Sequence, residues 1–137
     1  NHLTPDQQGA EGADMFIQQP EYLKAYALSF KKFIEAYRSK GIRIEMVAPQ
    51  NEFNSCQVFP SCIWTAESLS RFVGTYLGPE MQKLGVKILF GTMERKNDLM
   101  IDTVMKSEAI GFQWAGKGAI NAVHEKYPEL KLVQTES

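Results

Sequence analysis

Two glutamates in this chain stand where a strand-like apolar run meets polar residues. Residues 42–48 run into Pro49-Gln50-Asn51-Glu52, and residues 130–134 run into Thr135-Glu136-Ser137. Carboxylates carried on two separate strand ends can share the work of cleaving a glycosidic bond. One donates a proton to the departing oxygen, and the other attacks the anomeric carbon or activates water. The donor must start protonated and its partner ionised. Once the partner is esterified its charge is gone, and the donor can then act as a base.

Other side chains at strand ends could serve the same chemistry. The Asn51 amide could bond a sugar 2-hydroxyl or simply brace a turn. Gln113 and Trp114 close a further apolar run. An amide and an indole face suit a sugar, and a buried aromatic is the alternative for Trp114. Phe53, Phe59 and Trp64 flank the long segment after Glu52, either shaping a leaving-group site or packing beneath it. Glu94 is a third strand-end carboxylate, and Arg95-Lys96 beside it suggest a solvated ion pair. Cys56 and Cys62 are a disulfide-closed loop or two thiols, and spacing does not choose between them. His2 and His124 lack ligand spacing to either cysteine, so no metal and no other cofactor is expected.

The elements that would position these residues alternate. Leu23, Tyr26, Ala27, Phe30, Ile34 and Tyr37 recur at three- and four-residue steps, the stripe of an amphipathic helix that Gly41 stops. A strand over 42–48 follows. Thr65 is a helix N-cap for a face of Leu69, Phe72, Val73, Tyr76 and Leu77. Gly78-Pro79 should break or kink that helix before it ends at Gly85. Strands over 86–90, 110–114 and 130–134 alternate with helices over 97–107 and around Ile120, Val123, His124 and Tyr127. Residues 1–20 read as loop. Strands alternating with helices imply a parallel sheet.

Glu52 and Glu136 are then three strand–helix repeats apart, each of about 28 residues. In an open sheet they would be far apart, whereas across the mouth of a closed eight-strand barrel they can face each other. A flavodoxin-like sheet fits the element order too, but no Gly-rich phosphate loop follows any strand.

The chain has 137 residues, 44% of them hydrophobic and 23% charged, which is the globular class. With a net charge of −1 and no basic cluster, nucleic-acid binding has no electrostatic support. No apolar run reaches the roughly 20 residues of a membrane-spanning helix. The oligomeric state is not legible.

Pro49-Gln50-Asn51-Glu52, Trp64-Thr65 opening a helix, Tyr76-Leu77-Gly78-Pro79 and Gln134-Thr135-Glu136-Ser137 together resemble glycoside hydrolase family 30. That family includes glucosylceramidases, β-1,6-glucanases and xylan-active enzymes. The resemblance implies an α/β fold, a (β/α)8 TIM barrel with a side β-sandwich, and a retaining mechanism. It places Glu52 as acid/base at the end of strand four and Glu136 as nucleophile at the end of strand seven. Residues 1–137 would be part of a single catalytic barrel, roughly its second half, strands four to seven, without the sandwich. The implied substrate is a β-glucoside, β-glucan or glycolipid, and the implied location is secreted, periplasmic or cell-surface. Two departures stand out. Gln113-Trp114-Ala115 replaces a His-Trp-Tyr-like run, and the link from Lys106 to Ile110 is shorter than usual.

The expectation is therefore a retaining β-glycosidase acting on β-linked glucosyl units. The competing readings are xylan or fucoside cleavage on the same framework, and a carbohydrate-binding relic that has lost turnover.

Overall fold

A computed structural model describes residues 13–53, 61–93, 109–113 and 119–136. Its elements are β1 (Ala13–Met15), α1 (Pro20–Ser39), β2 (Met46–Val47), β3 (Ser61–Ile63), α2 (Ala66–Phe72), a π-helical turn (Val73–Leu77), α3 (Gly78–Leu84), β4 (Lys87–Met93), β5 (Ala109–Gln113), α4 (Ala119–Lys126) and β6 (Lys131–Glu136). The expected helix over 97–107 and the link from Lys106 to Ile110 lie outside the described residues.

Four strands form one sheet in the order β2-β4-β5-β6, and every pair is parallel. The order never reverses. Right-handed crossovers then put successive helices on one face, whereas a doubly wound sheet reverses at its middle. This is the order that a β/α barrel uses, and four strands are half of its eight.

The helix-facing core follows the sheet's alternation. Val86, Ile88 and Phe90 of the β4 segment pack against Leu23, Ala27 and Ile34 of α1 and against Ala66, Leu69, Phe72, Leu77 and Met81 of the helical stretch from 66 to 84. On β6, Leu132 joins the same core, while Val133 is 36% exposed. The registers pair Gly111 with Val133 and Met46 with Lys87. Met46 is 37% exposed, so apolar groups of both outer strands, β2 and β6, meet solvent.

Helix ends follow local chemistry. Thr65 caps α2, its hydroxyl accepting from the Ser68 amide at 3.1 Å. Gly41, at φ +78°, closes α1 with Gly41 N–H to Arg38 O at 3.0 Å and Ile42 N–H to Tyr37 O at 3.1 Å, the Schellman pattern. Gly85, at φ +66°, ends α3.

Several expectations need correction. Gly78-Pro79 does not break the helix. The Gly78 N–H reaches back five residues to Val73 O, and this π turn carries the chain into α3 with proline in its first turn, where a missing N–H matters least. Tyr37 leaves the buried stripe of α1: it is 42% exposed and packs on Phe33, ring centroids 4.5 Å apart. His124 is exposed, and of the expected stripe Ile120, Val123 and Tyr127 pack on the core. The strand expected over 42–48 is only Met46–Val47, because pairing with β4 begins there. Residues 13–15 are not loop: they form β1, which pairs in parallel with β3 in a separate two-stranded sheet.

Candidate active site

Parallel strands bring their C-terminal ends to one side. That side carries the turn after β2 with Asn51 and Glu52, the end of β4 with Gly91 and Thr92, Gln113 at the end of β5, and Glu136 at the end of β6. The structure thus gathers Asn51, Glu52, Gln113 and Glu136 at the same end of one sheet. Trp114, Glu94, Phe59 and Cys56 lie outside the described residues, and with Cys56 the question of a disulfide.

The turn that carries Glu52 is held by Thr92, forty residues on. The Thr92 N–H donates to Gln50 O at 2.7 Å, and Thr92 O accepts from the Phe53 N–H at 3.3 Å. These two bonds extend the β2–β4 pairing through the turn. The Thr92 hydroxyl accepts from the Glu52 N–H at 3.0 Å and donates to Asn51 Oδ1 at 2.9 Å. Thr92 is only 4% exposed, and its polar groups are met by this one turn, as a buried hydroxyl requires.

An irregularity at the end of β4 makes that contact possible. From Phe90 to Met93 the strand advances three residues while β5 advances two, from Ile110 to Phe112. The extra residue is a bulge, and Gly91 at φ +96° sits in it. A regular strand would keep Thr92 on the helix-side face of Phe90; the bulge releases it from that alternation. A second register shift falls between β5 and β6, where Phe112 pairs with Gln134 but Gln113 pairs with Glu136. Thr135 is the added residue, and the backbone of Glu136 comes level with that of Gln113. Bulges concentrate beside active sites because they re-aim a side chain.

Glu52 has φ +45°, the left-handed region. For a residue with a Cβ that conformation costs roughly 1 kcal/mol or more. Its neighbours compensate: the Glu52 amide is bonded to Thr92, and the next residue, Phe53, is fully buried against Phe90 with ring centroids 5.7 Å apart and edge to face.

Beneath the turn lies an aromatic cluster. Trp64 is fully buried, its indole N–H donating to Gln50 Oε1 at 3.3 Å, and its backbone N–H to Phe53 O at 3.0 Å. Phe16 stacks on Trp64 at 4.7 Å and on Tyr26 at 4.9 Å. Phe72 lies 5.1 Å from Tyr26 and 5.4 Å from Trp64. Phe53 and Trp64 therefore pack in the helix-side core beneath the turn. Tyr26 donates to Pro49 O at 2.7 Å, and burial raises its phenol above the ordinary value, with the nearby Cys62 adding to the rise.

A cavity of about 570 Å³ bordered by Val73, Gly78, Met81, Gly85, Val86 and Ile88 belongs to the other end of β4. Its nearest lining residue on the strand, Ile88, is four residues from Thr92, about 13 Å.

Sequence reasoning put Gly91-Thr92 at a strand end but gave Thr92 no role. Its only signal was Gly91 before it, a glycine inside a strand pattern, which marks a bulge.

The fold is similar to that of the endo-β1,6-glucanase BT3312, with a TM-score of 0.72 and 26% identity over 86% of this chain and 30% of that one. It is also similar to SrfJ from Salmonella typhimurium, with a TM-score of 0.73 and 20% identity over 88% of this chain and 30% of that one. The chain spans about 30% of the length of each. At 20% identity the likeness to SrfJ shows the fold alone. Together they support the family-30-like fold that the motifs imply. No protein-family model matches the chain, and comparison with curated proteins gives no match. Among the described residues, no helix is long and apolar enough to cross a membrane.

Proposed function

We propose that this chain supplies strands four to seven of an eight-stranded β/α barrel in a retaining β-glycoside hydrolase acting on β-linked glucosyl units. The observation that carries the reading is the placement of Glu52 and Glu136 at the same end of one unreversed parallel sheet. Glu52 is held there on a strained turn, and Glu136 follows a bulge. The similarity to an endo-β1,6-glucanase supports a glucan as the substrate class.

Three inter-strand steps separate β2 from β6, about 14 Å in a flat sheet. A retaining pair works at about 5–5.5 Å. In this reading closure of the sheet into a barrel shortens the gap. An unclosed sheet would leave the pair too far apart for direct displacement.

In this reading the Glu136 carboxylate attacks the anomeric carbon as the C–O bond to the leaving group breaks. Glu52 gives its proton to the departing oxygen, and a glycosyl ester on Glu136 remains. Water then attacks the same carbon, Glu52 takes its proton, and the Glu136 carboxylate leaves. Asn51 bonds the sugar 2-hydroxyl, and Gln113 and Trp114 line the sugar site. A secreted, periplasmic or cell-surface location accompanies a polymeric or glycolipid substrate.

The test is trapping with a 2-fluoro β-glucoside in the longest natural polypeptide that contains these residues, followed by peptide mapping. A label on Glu136 is expected. No label, with β-xyloside and β-fucoside analogues also silent, would overturn the reading in favour of a binding relic.

A further inference from the structure

We propose that Thr92 is a positioning residue: its hydroxyl sets both the carboxyl group of Glu52 and the amide of Asn51 for the reaction. The inference rests on the reading of Glu52 as the proton donor and deepens it.

A hydroxyl has one proton and two lone pairs. Thr92 spends its proton on Asn51 Oδ1 and accepts the Glu52 N–H. Donation to Asn51 requires the amide to present its oxygen to Thr92, so the Nδ2 end is the one turned away. One hydroxyl therefore fixes which end of the amide a substrate would meet. The same oxygen bonds the backbone of Glu52 at the residue whose φ is +45°. Rotation of that peptide would swing the carboxyl group off the line to the leaving oxygen.

The hydroxyl can be removed with little else disturbed. The Thr92 N–H and C=O bonds to Gln50 and Phe53 are backbone bonds and survive a side-chain change. Valine keeps the shape and loses the hydroxyl; serine keeps the hydroxyl. Thr92→Val therefore isolates the orientation of Glu52 and Asn51 from the pairing of β2 with β4.

The readout is the ratio of kcat/KM for an alkyl β-glucoside to that for a dinitrophenyl β-glucoside. The alkyl leaving group needs a proton and the dinitrophenolate does not. A ratio within one preparation does not depend on the folded fraction. General acid catalysis contributes about 10²–10⁴-fold, so Thr92→Val is expected to lower the ratio at least about tenfold. Thr92→Ser should bring it back to within about threefold of the parent, since a positioned group tolerates small shifts only.

Glu52→Ala with added azide is assayed alongside on the dinitrophenyl substrate, where a glycosyl azide product is expected. If that product forms and the Thr92→Val ratio stays within about threefold of the parent, or Thr92→Ser is as low as Thr92→Val, the Thr92 role is overturned alone. If the parent does not turn over, or Glu52→Ala behaves like the parent, the reading of Glu52 falls and the Thr92 role falls with it.

Discussion

Tyr26, on the first helix, donates a 2.7 Å hydrogen bond to the carbonyl of Pro49, three residues before Glu52. The phenol belongs to the aromatic cluster and the carbonyl to the turn that carries the candidate proton donor. The helix layer and the site are therefore joined by one bond through a half-buried side chain.

Tyr26→Phe is expected to lower stability by about 1–2 kcal/mol, leaving the Pro49 carbonyl without its phenol donor. It should also change the alkaline limit. The folded phenol titrates above its ordinary value of 10.0, so between that pH and the folded value the unfolded chain binds fewer protons. Stability is then complete below about pH 10 and falls as pH rises through the folded value. Denaturant unfolding at pH 8 and above pH 10 should show this loss in the parent and a smaller one in the Phe variant. Equal losses in both would sink the assignment.

Two glycines of one helical stretch should respond oppositely to alanine. A Cβ on Gly78 would meet Val73 O at 2.8 Å, a backbone atom that cannot swing aside, while a Cβ on Gly74 meets nothing within 4 Å. Gly74→Ala should stabilise by roughly 0.5–1 kcal/mol through helix propensity. Gly78→Ala should destabilise by about 1–3 kcal/mol as the turn is forced to shift. Thermal unfolding of the two variants measures both signs, and a stabilising Gly78→Ala would refute the clash.

Phe53→Ala removes a fully buried ring next to Glu52 and opens a cavity against Phe90. A loss of about 3–5 kcal/mol is expected. Phe53→Leu should lose less than half as much. If both are silent in denaturant unfolding, the ring is not a support of the turn.

These 137 residues expressed alone should associate or fold poorly. Among the described residues β2 and β6 form the two edges of the main sheet, and Met46 and Val133 on them are well exposed. Unpaired edges and exposed apolar groups recruit other chains. Sedimentation that shows a monomer at high concentration, with a sharp reversible melt, would contradict this.

The parts of the site with local signals were legible: a glutamate after an apolar run, Thr65 ahead of a helical stripe, Gly41 and Gly85 at helix ends. Those signals reside in neighbouring residues. The role of Thr92 could not be read, because its partners Asn51 and Glu52 come from forty residues earlier and only pairing of β2 with β4 brings them together. The strands β1 and β3 were missed because three residues containing Asp14 or Ser61 resemble loop by composition. His124 was read on the same stripe as Val123, but the packed stripe is narrower: Val123 is buried, and His124, about 100° further round, meets solvent. At Gly78-Pro79 the rule that proline ends a helix lost to a turn that has already shifted its hydrogen bonding by one residue.

That turn also changes the phase of the helix. Buried positions advance by three from Ala66 to Leu69 to Phe72, then by five to Leu77 and by four to Met81. The five-residue step is the length of the π turn, and it works as a frame shift for side chains. Removing one residue between 73 and 77 would leave Leu77 four residues after Phe72, the same step that joins Leu77 to Met81, and a regular α-helix carries that step on one face. Leu77 and Met81 would stay inward while the wide turn tightens. This stretch can therefore lose the one residue that the turn holds in excess, whereas gaining another would swing Leu77 and Met81 away from the core.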